Sequence, residues 1–109
     1  MELSKKDKKK VREIIESGLQ QEFAKALFDV DSILTGWKNK SKNNRDAYHS
    51  LYKHIIDSDK HIASRYDEIT GSKYLFIISG QLLDGVITEN DLSNLSKEVQ
   101  QAIKMIADI

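Results

Sequence analysis

The sequence predicts an all-α protein, folded as a single-domain helical bundle of four to six helices. Apolar residues recur at spacings of three and four along most of the chain, which is the period of a helix with one buried stripe. The 109 residues include no proline and only five glycines, so few positions interrupt such a pattern. We expect helices at about 11–17, 20–38, 46–68, 73–84 and 89–108, with 46–68 the longest ordered element.

The first apolar stripe raises the question of where the chain turns. It runs from Val11 to Trp37, and Ser4 is a suitable residue to cap the start of the helix. An unbroken helix over 11–38 would be about 42 Å long. A compact domain of this size spans roughly 30 Å. We therefore predict a bend at Gly18; the alternative is a long helix whose overhang is buried against a second copy. Residues 1–8 are predicted to form a basic, frayed tail.

The stripe over 46–68 contains three tyrosines and one carboxylate. Tyr48, Tyr52 and Tyr66 fall on its apolar line, so we expect their rings to pack and their hydroxyls to reach the edge of the core. Asp59 interrupts the same line between Ile55 and Ile62. Because a buried carboxylate is costly without a hydrogen-bond donor, Asp59 is expected to bind one from another segment.

The C-terminal third contains one ambiguous segment. The run Tyr74–Ile78 could form a buried strand, but only 86–88 offers a β-like partner, so we interpret 73–84 as a helix. Gly71 is expected to end the preceding helix in a left-handed conformation. Ser96 is a candidate cap that divides 89–108 into a short turn and a helix.

Composition excludes several classes of protein. The chain has no cysteine, so thiolate catalysis, cysteine-bound metal centres and disulfides are absent. No apolar run approaches the roughly 20 residues that span a bilayer. The basic N-terminus is not followed by the apolar core of a signal peptide, so we expect a cytoplasmic protein without a membrane partner.

No catalytic constellation stands out, so we predict neither enzymatic activity nor a cofactor. His54, Asp57 and His61 have the helical spacing of a shared face and could ligate a transition metal. A metal-dependent enzyme is therefore one hypothesis, ranked below the two non-enzymatic functions given in the next paragraph. Three donors spread over two turns are too far apart for one ion without help, however. We therefore interpret these three residues as part of a solvated polar face with local hydrogen bonds.

The leading functional hypothesis is a small regulatory module that acts through protein–protein contacts, with a homodimer or a helical partner expected. The alternative is an accessory protein that binds nucleic acid. The formal net charge is zero, but residues 1–12 carry six basic and two acidic side chains, and residues 38–45 carry four basic side chains and no acid. The candidate binding residues are Trp37, Lys38, Lys40, Lys42, Arg45, His54, His61 and Arg65.

Overall fold

One long helix organises the molecule. The structure is a computed structural model that describes residues 2–109. Within this range the chain forms helices α1 (Lys5–Lys38), α2 (Asn44–Tyr66), α3 (Tyr74–Leu83) and α4 (Lys97–Ala107), with short 3₁₀ turns at Gly71–Lys73 and Glu89–Leu92. No strand occurs among the described residues, so the all-α class is confirmed. The ambiguous segment 73–84 is helical, as predicted.

Side-chain caps set the starts of three helices. The Ser4 hydroxyl accepts from the backbone N–H of Asp7 at 3.0 Å and starts α1, as the sequence predicted. The Asn43 side chain caps α2. The Ser96 hydroxyl caps α4 and separates it from the preceding 3₁₀ turn, in agreement with the predicted division. Each cap provides a partner for a backbone N–H that the helix itself leaves without one.

The predicted bend at Gly18 is wrong. α1 continues through this residue and extends over 34 residues, so it, and not the 23-residue α2, is the longest element. Gly18 serves a different purpose, because a Cβ atom here would overlap the side-chain amide of Gln81 on α3. The glycine therefore permits close packing of α3 on α1 instead of a turn in the chain.

The hydrophobic core lies at one end of the molecule. The N-terminal half of α1 contributes Val11 and Ile15, which pack against the buried residues of α3 and α4 and against the segment that joins these two helices. Asp7 also connects the first turn of α1 to the start of α4, because its carboxylate accepts hydrogen bonds from the backbone N–H and the hydroxyl of Ser96 at 3.1 and 2.9 Å. The bond from the Ser96 backbone N–H, helped by that from its hydroxyl, lowers the pKa of Asp7. Residues 5–8, predicted to belong to a frayed tail, form the first turn of α1.

The C-terminal half of α1 pairs with α2 as an antiparallel hairpin. Glu22 contacts His61, Asp29 contacts His54, and near the connecting loop Trp37 contacts Asn44, so residue numbers rise on one helix as they fall on the other. The core does not extend beneath this part of the hairpin. The molecule is consequently elongated, at 53 × 26 × 23 Å, with a radius of gyration of 17.3 Å against about 13 Å for a compact chain of this length.

Three further predictions for α2 and its C-terminal end are wrong, the first two because the helix packs on a different face. Asp59 is exposed and does not enter the core. Tyr48 and Tyr52 are also exposed, while Tyr66 alone of the three tyrosines is buried. α2 ends at Tyr66, and the residue with positive φ after it is Glu68, at 58°, instead of Gly71. Gly85 adopts the left-handed conformation instead, at φ 71°, shortly after α3 ends.

Gly18→Ala is expected to destabilise the protein, although alanine normally favours a helix interior by about 1 kcal/mol over glycine. Gln81 is fully buried and its side-chain N–H₂ donates two hydrogen bonds, which it would have to break to move away from the added methyl group. Overpacking of this kind costs about 1–3 kcal/mol in the free energy of unfolding, which urea titration measures.

The matched control is the same substitution in a Gln81→Ala background, where the overlap is gone and the alanine is expected to be neutral or stabilising. An equal loss of stability in both backgrounds would contradict the packing role of Gly18.

Candidate interaction surface

The α1–α2 hairpin has two long sides of opposite character. On α1, Lys25 and Leu27 flank Ala26, which faces α2, and successive helical residues project about 100° apart. Lys25 lines a cavity on one side, so Leu27 lies on the other. On α2, Asp57 lines the same cavity, whereas Ile55 projects to the opposite side. We call the two sides the cavity side and the outer face.

A buried carboxylate holds the base of the hairpin together. Glu22 of α1 is 9% exposed, and all its described partners come from the last two turns of α2. One carboxylate oxygen accepts from Arg65 at 2.9 Å and from His61 at 2.8 Å, and the other accepts from the hydroxyl of Tyr66. Arg65 also pairs with Asp84, directly after α3. The Arg65 guanidinium therefore joins three segments: α1, the end of α2 and the residue after α3.

Gln81 extends this cluster into the core. Its side-chain N–H₂ donates to the backbone carbonyl of Ile15 at 3.1 Å and to the Tyr66 hydroxyl at 2.8 Å. Burial, together with the bond to Glu22, raises the pKa of Tyr66 to about 12. The pKa of Arg65 is also raised: burial opposes this shift, but the hydrogen bond to Asp84 and the charge of Glu22 outweigh it.

The cavity side encloses about 620 Å³ between the two helices and residues 84–86. Its four carboxylates already form ion pairs within the protein: Asp29 with Lys25 at 2.8 Å, Asp57 with Lys53 at 2.9 Å, and both Glu22 and Asp84 with Arg65. Each carboxylate that lines the cavity therefore already has a cation of the protein beside it.

Metal binding at the cavity side finds no support in the geometry. No group of three or more His, Asp or Glu side chains among residues 2–109 is placed to hold a metal ion. His54, Asp57 and His61 all line the cavity, but His54 lies 3.4 Å from Asp29 and His61 binds Glu22. Asp57 and His61 remain about half exposed, and Asp57 pairs with Lys53 one turn away, in agreement with a solvated face that forms local hydrogen bonds. The contacts of His54 and His61 with α1 were not predicted.

The outer face is apolar and open to solvent. Leu27 is 66% exposed, Tyr48 70% and Tyr52 60%. The other four members, which are Phe23, Leu34, Trp37 and Ile55, are 37–43% exposed. No other described helix covers this face, because α3 and α4 pack only on the N-terminal half of α1. The outer face comprises Phe23, Leu27, Leu34 and Trp37 of α1 and Tyr48, Tyr52 and Ile55 of α2.

The structure divides the predicted binding residues into two groups. Trp37 and the basic residues Lys38, Lys40, Lys42 and Arg45 lie at the hairpin tip, where the indole N–H donates to Asn44 at 2.7 Å. The other group lies toward the base of the hairpin and consists of His54, His61 and Arg65. About 20 residues of α2, or roughly 30 Å, separate Arg45 from Arg65. The two groups therefore do not form one compact cluster.

The two basic segments are also far apart. Residues 5–12 begin α1 and residues 38–45 start at its last residue, so the 26 residues from position 12 to position 38, about 40 Å of helix, separate them. They do not form one continuous basic surface for a nucleic acid.

Sequence reasoning missed the most important polar residue. Glu22 lies on the apolar line of α1, three residues after Leu19 and four before Ala26. The argument that singled out Asp59, a carboxylate on a core-facing line, applies equally to Glu22 and would have found it.

The comparisons with known proteins assign no class. No protein family, curated protein or solved structure matches this chain. Within residues 2–109, no helix is both long enough and apolar enough to cross a membrane.

Tyr66→Phe is expected to remove a pH-dependent part of the stability. Because the pKa of Tyr66 is about 12 in the folded protein and about 10 when unfolded, its contribution is complete below pH 10 and is lost as pH rises toward 12. The full contribution is about 2.7 kcal/mol, of which about 1.4 kcal/mol is lost by pH 11. Urea titrations at pH 8 and 11 should show a wild-type advantage over Tyr66→Phe that shrinks at pH 11. The exposed Tyr48→Phe serves as control, and an advantage that is constant with pH would refute the burial of this phenol.

Proposed function

We propose that this protein is a small, non-enzymatic helical module that acts through protein–protein contact, with the outer face as its contact surface. The observation that carries the proposal is the exposure of seven large apolar or aromatic side chains on one side of a two-helix hairpin. Monomeric proteins rarely leave a contiguous apolar patch larger than a few hundred Å². The composition of the patch also supports the proposal, because tyrosine, tryptophan and phenylalanine are enriched where proteins bind one another.

The helical geometry indicates what kind of partner fits. The two helices of the hairpin form a shallow, ridged surface, which accepts other helices by packing side chains into the grooves between ridges. A helical partner would also cover the side of the hairpin that α3 and α4 leave uncovered along the C-terminal half of α1. The bundle packing predicted from the sequence is then completed in the complex, not within one chain.

Other functions draw less support from the geometry. Binding of nucleic acid by the tail and the loop together is disfavoured by the separation of the two basic segments. Hydrolytic or metal-dependent chemistry is disfavoured because the polar groups of the cavity side are engaged with one another.

A photo-crosslinking amino acid at position 27 is expected to form covalent adducts with a protein in the cells that make this protein. The same amino acid at position 28 is the matched control, because Phe28 is 71% exposed but projects away from the outer face. Mass spectrometry of the adducts identifies the partner, including another copy of the chain. Equal labelling at both positions, or none at position 27, would contradict the proposal.

A further inference from the structure

We propose that the occupant of the outer face is a second copy of this chain, packed antiparallel about a two-fold axis that passes beside Tyr52. This inference rests on the proposed function, because it names the partner of the same surface. It follows from the area of the outer face and from two patterns in its side chains.

The area of the outer face is close to what a stable dimer needs. The exposed fractions of its seven side chains correspond to roughly 700 Å², since a large side chain offers about 150–250 Å². A standard protein interface buries about 800 Å² on each partner. The seven side chains alone therefore account for most of the area that such an interface buries on each partner.

The α1 part of the outer face is nearly palindromic. Phe23 and Trp37 lie seven residues on either side of Val30, and Leu27 and Leu34 lie about the same midpoint. A two-fold axis at this height, perpendicular to the helix, places Phe23 of one copy opposite Trp37 of the other and Leu27 opposite Leu34. An interface between identical surfaces requires this kind of pairing, in which each member of a pair contacts the other in both directions.

The α2 part carries two opposite charges at equal distances from the same height. Arg45 and Asp59 lie seven residues on either side of Tyr52 and carry opposite charges. Neither forms an ion pair within the described part of the chain, and both are exposed. In the antiparallel arrangement α2 lies over the α2 of the other copy, so each Arg45 comes beside the opposite Asp59.

The register of the hairpin brings the two midpoints together. The contacts Glu22–His61 and Asp29–His54 place position 31 of α1 level with Tyr52 of α2. The centre of the α1 pattern and the centre of the α2 pattern therefore fall at one height along the hairpin, and a single axis serves both. The result is a four-helix arrangement in which two hairpins cover each other's apolar side.

Sedimentation equilibrium at micromolar concentration tests the dimer. The wild-type protein is expected to have twice the 12.5 kDa mass of the chain. Leu27→Glu is expected to give the single-chain mass, while the control Phe28→Glu remains dimeric because position 28 lies outside the interface. Circular dichroism confirms that both variants remain helical; should Leu27→Glu unfold, Ile55→Glu tests the same face from α2.

Charge reversal tests the antiparallel register. Asp59→Lys places two positive charges together at both ends of the interface and is expected to weaken dimerisation by about tenfold. Adding Arg45→Glu to Asp59→Lys restores opposite charges and is expected to recover most of the loss. Failure of this recovery would overturn the antiparallel register.

A wild-type mass of 12.5 kDa would overturn the dimer itself. If the crosslinker at position 27 then captures a different protein, the outer face remains a contact surface and only the identity of the partner is wrong. If it captures none, the proposed function fails as well.

Discussion

The buried carboxylate of Glu22 is the interaction on which the shape of this protein depends. It binds Arg65, Tyr66 and His61 at the end of α2, and through Arg65 and Gln81 it is connected to α3. Breaking a buried ion pair typically costs about 3–5 kcal/mol, because the remaining charges lose their partners. A glycine inside a helix costs only about 1 kcal/mol. The cluster therefore outweighs the tendency of Gly18 to end the helix, and α1 continues straight across this junction.

A straight α1 has a direct consequence for the surface. Its N-terminal half is covered by α3 and α4, but its C-terminal half reaches beyond them and is paired with α2 alone. A two-helix hairpin buries one stripe of each helix and exposes the adjacent one. On the cavity side the adjacent stripe is polar and self-paired, whereas on the outer face it is apolar. The two sides thus differ in what they can do: one stabilises the hairpin, and the other is suited to a partner.

Local sequence signals predicted much of the fold, and long-range contacts decided the rest. The all-α class, the caps at Ser4 and Ser96 and the helix over 73–84 depend on periodicity and short-range hydrogen bonds, which the sequence displays directly. The course of α1 at Gly18 depends on Gln81, 63 positions away, and no local pattern reveals that contact. Tyr48 and Tyr52 show the same limitation: their spacing predicts an apolar stripe on α2, but only the docking of α2 on α1 determines which of its stripes is buried. In the candidate surface, Trp37 was identified from sequence, while the α2 members Tyr48, Tyr52 and Ile55 were predicted to lie on the core-facing stripe.

The continuity of α1 is the central claim, and a spin-label distance tests it most directly. The chain has no cysteine, so Lys9→Cys and Thr35→Cys introduce two labels at exposed positions of α1 without background. Labelled protein diluted with unlabelled protein removes any signal between copies. A continuous helix predicts a separation of about 40 Å by double electron–electron resonance. A fold-back at Gly18 predicts less than about 25 Å, and a distribution centred there would contradict the account of the hairpin, its outer face and its partner.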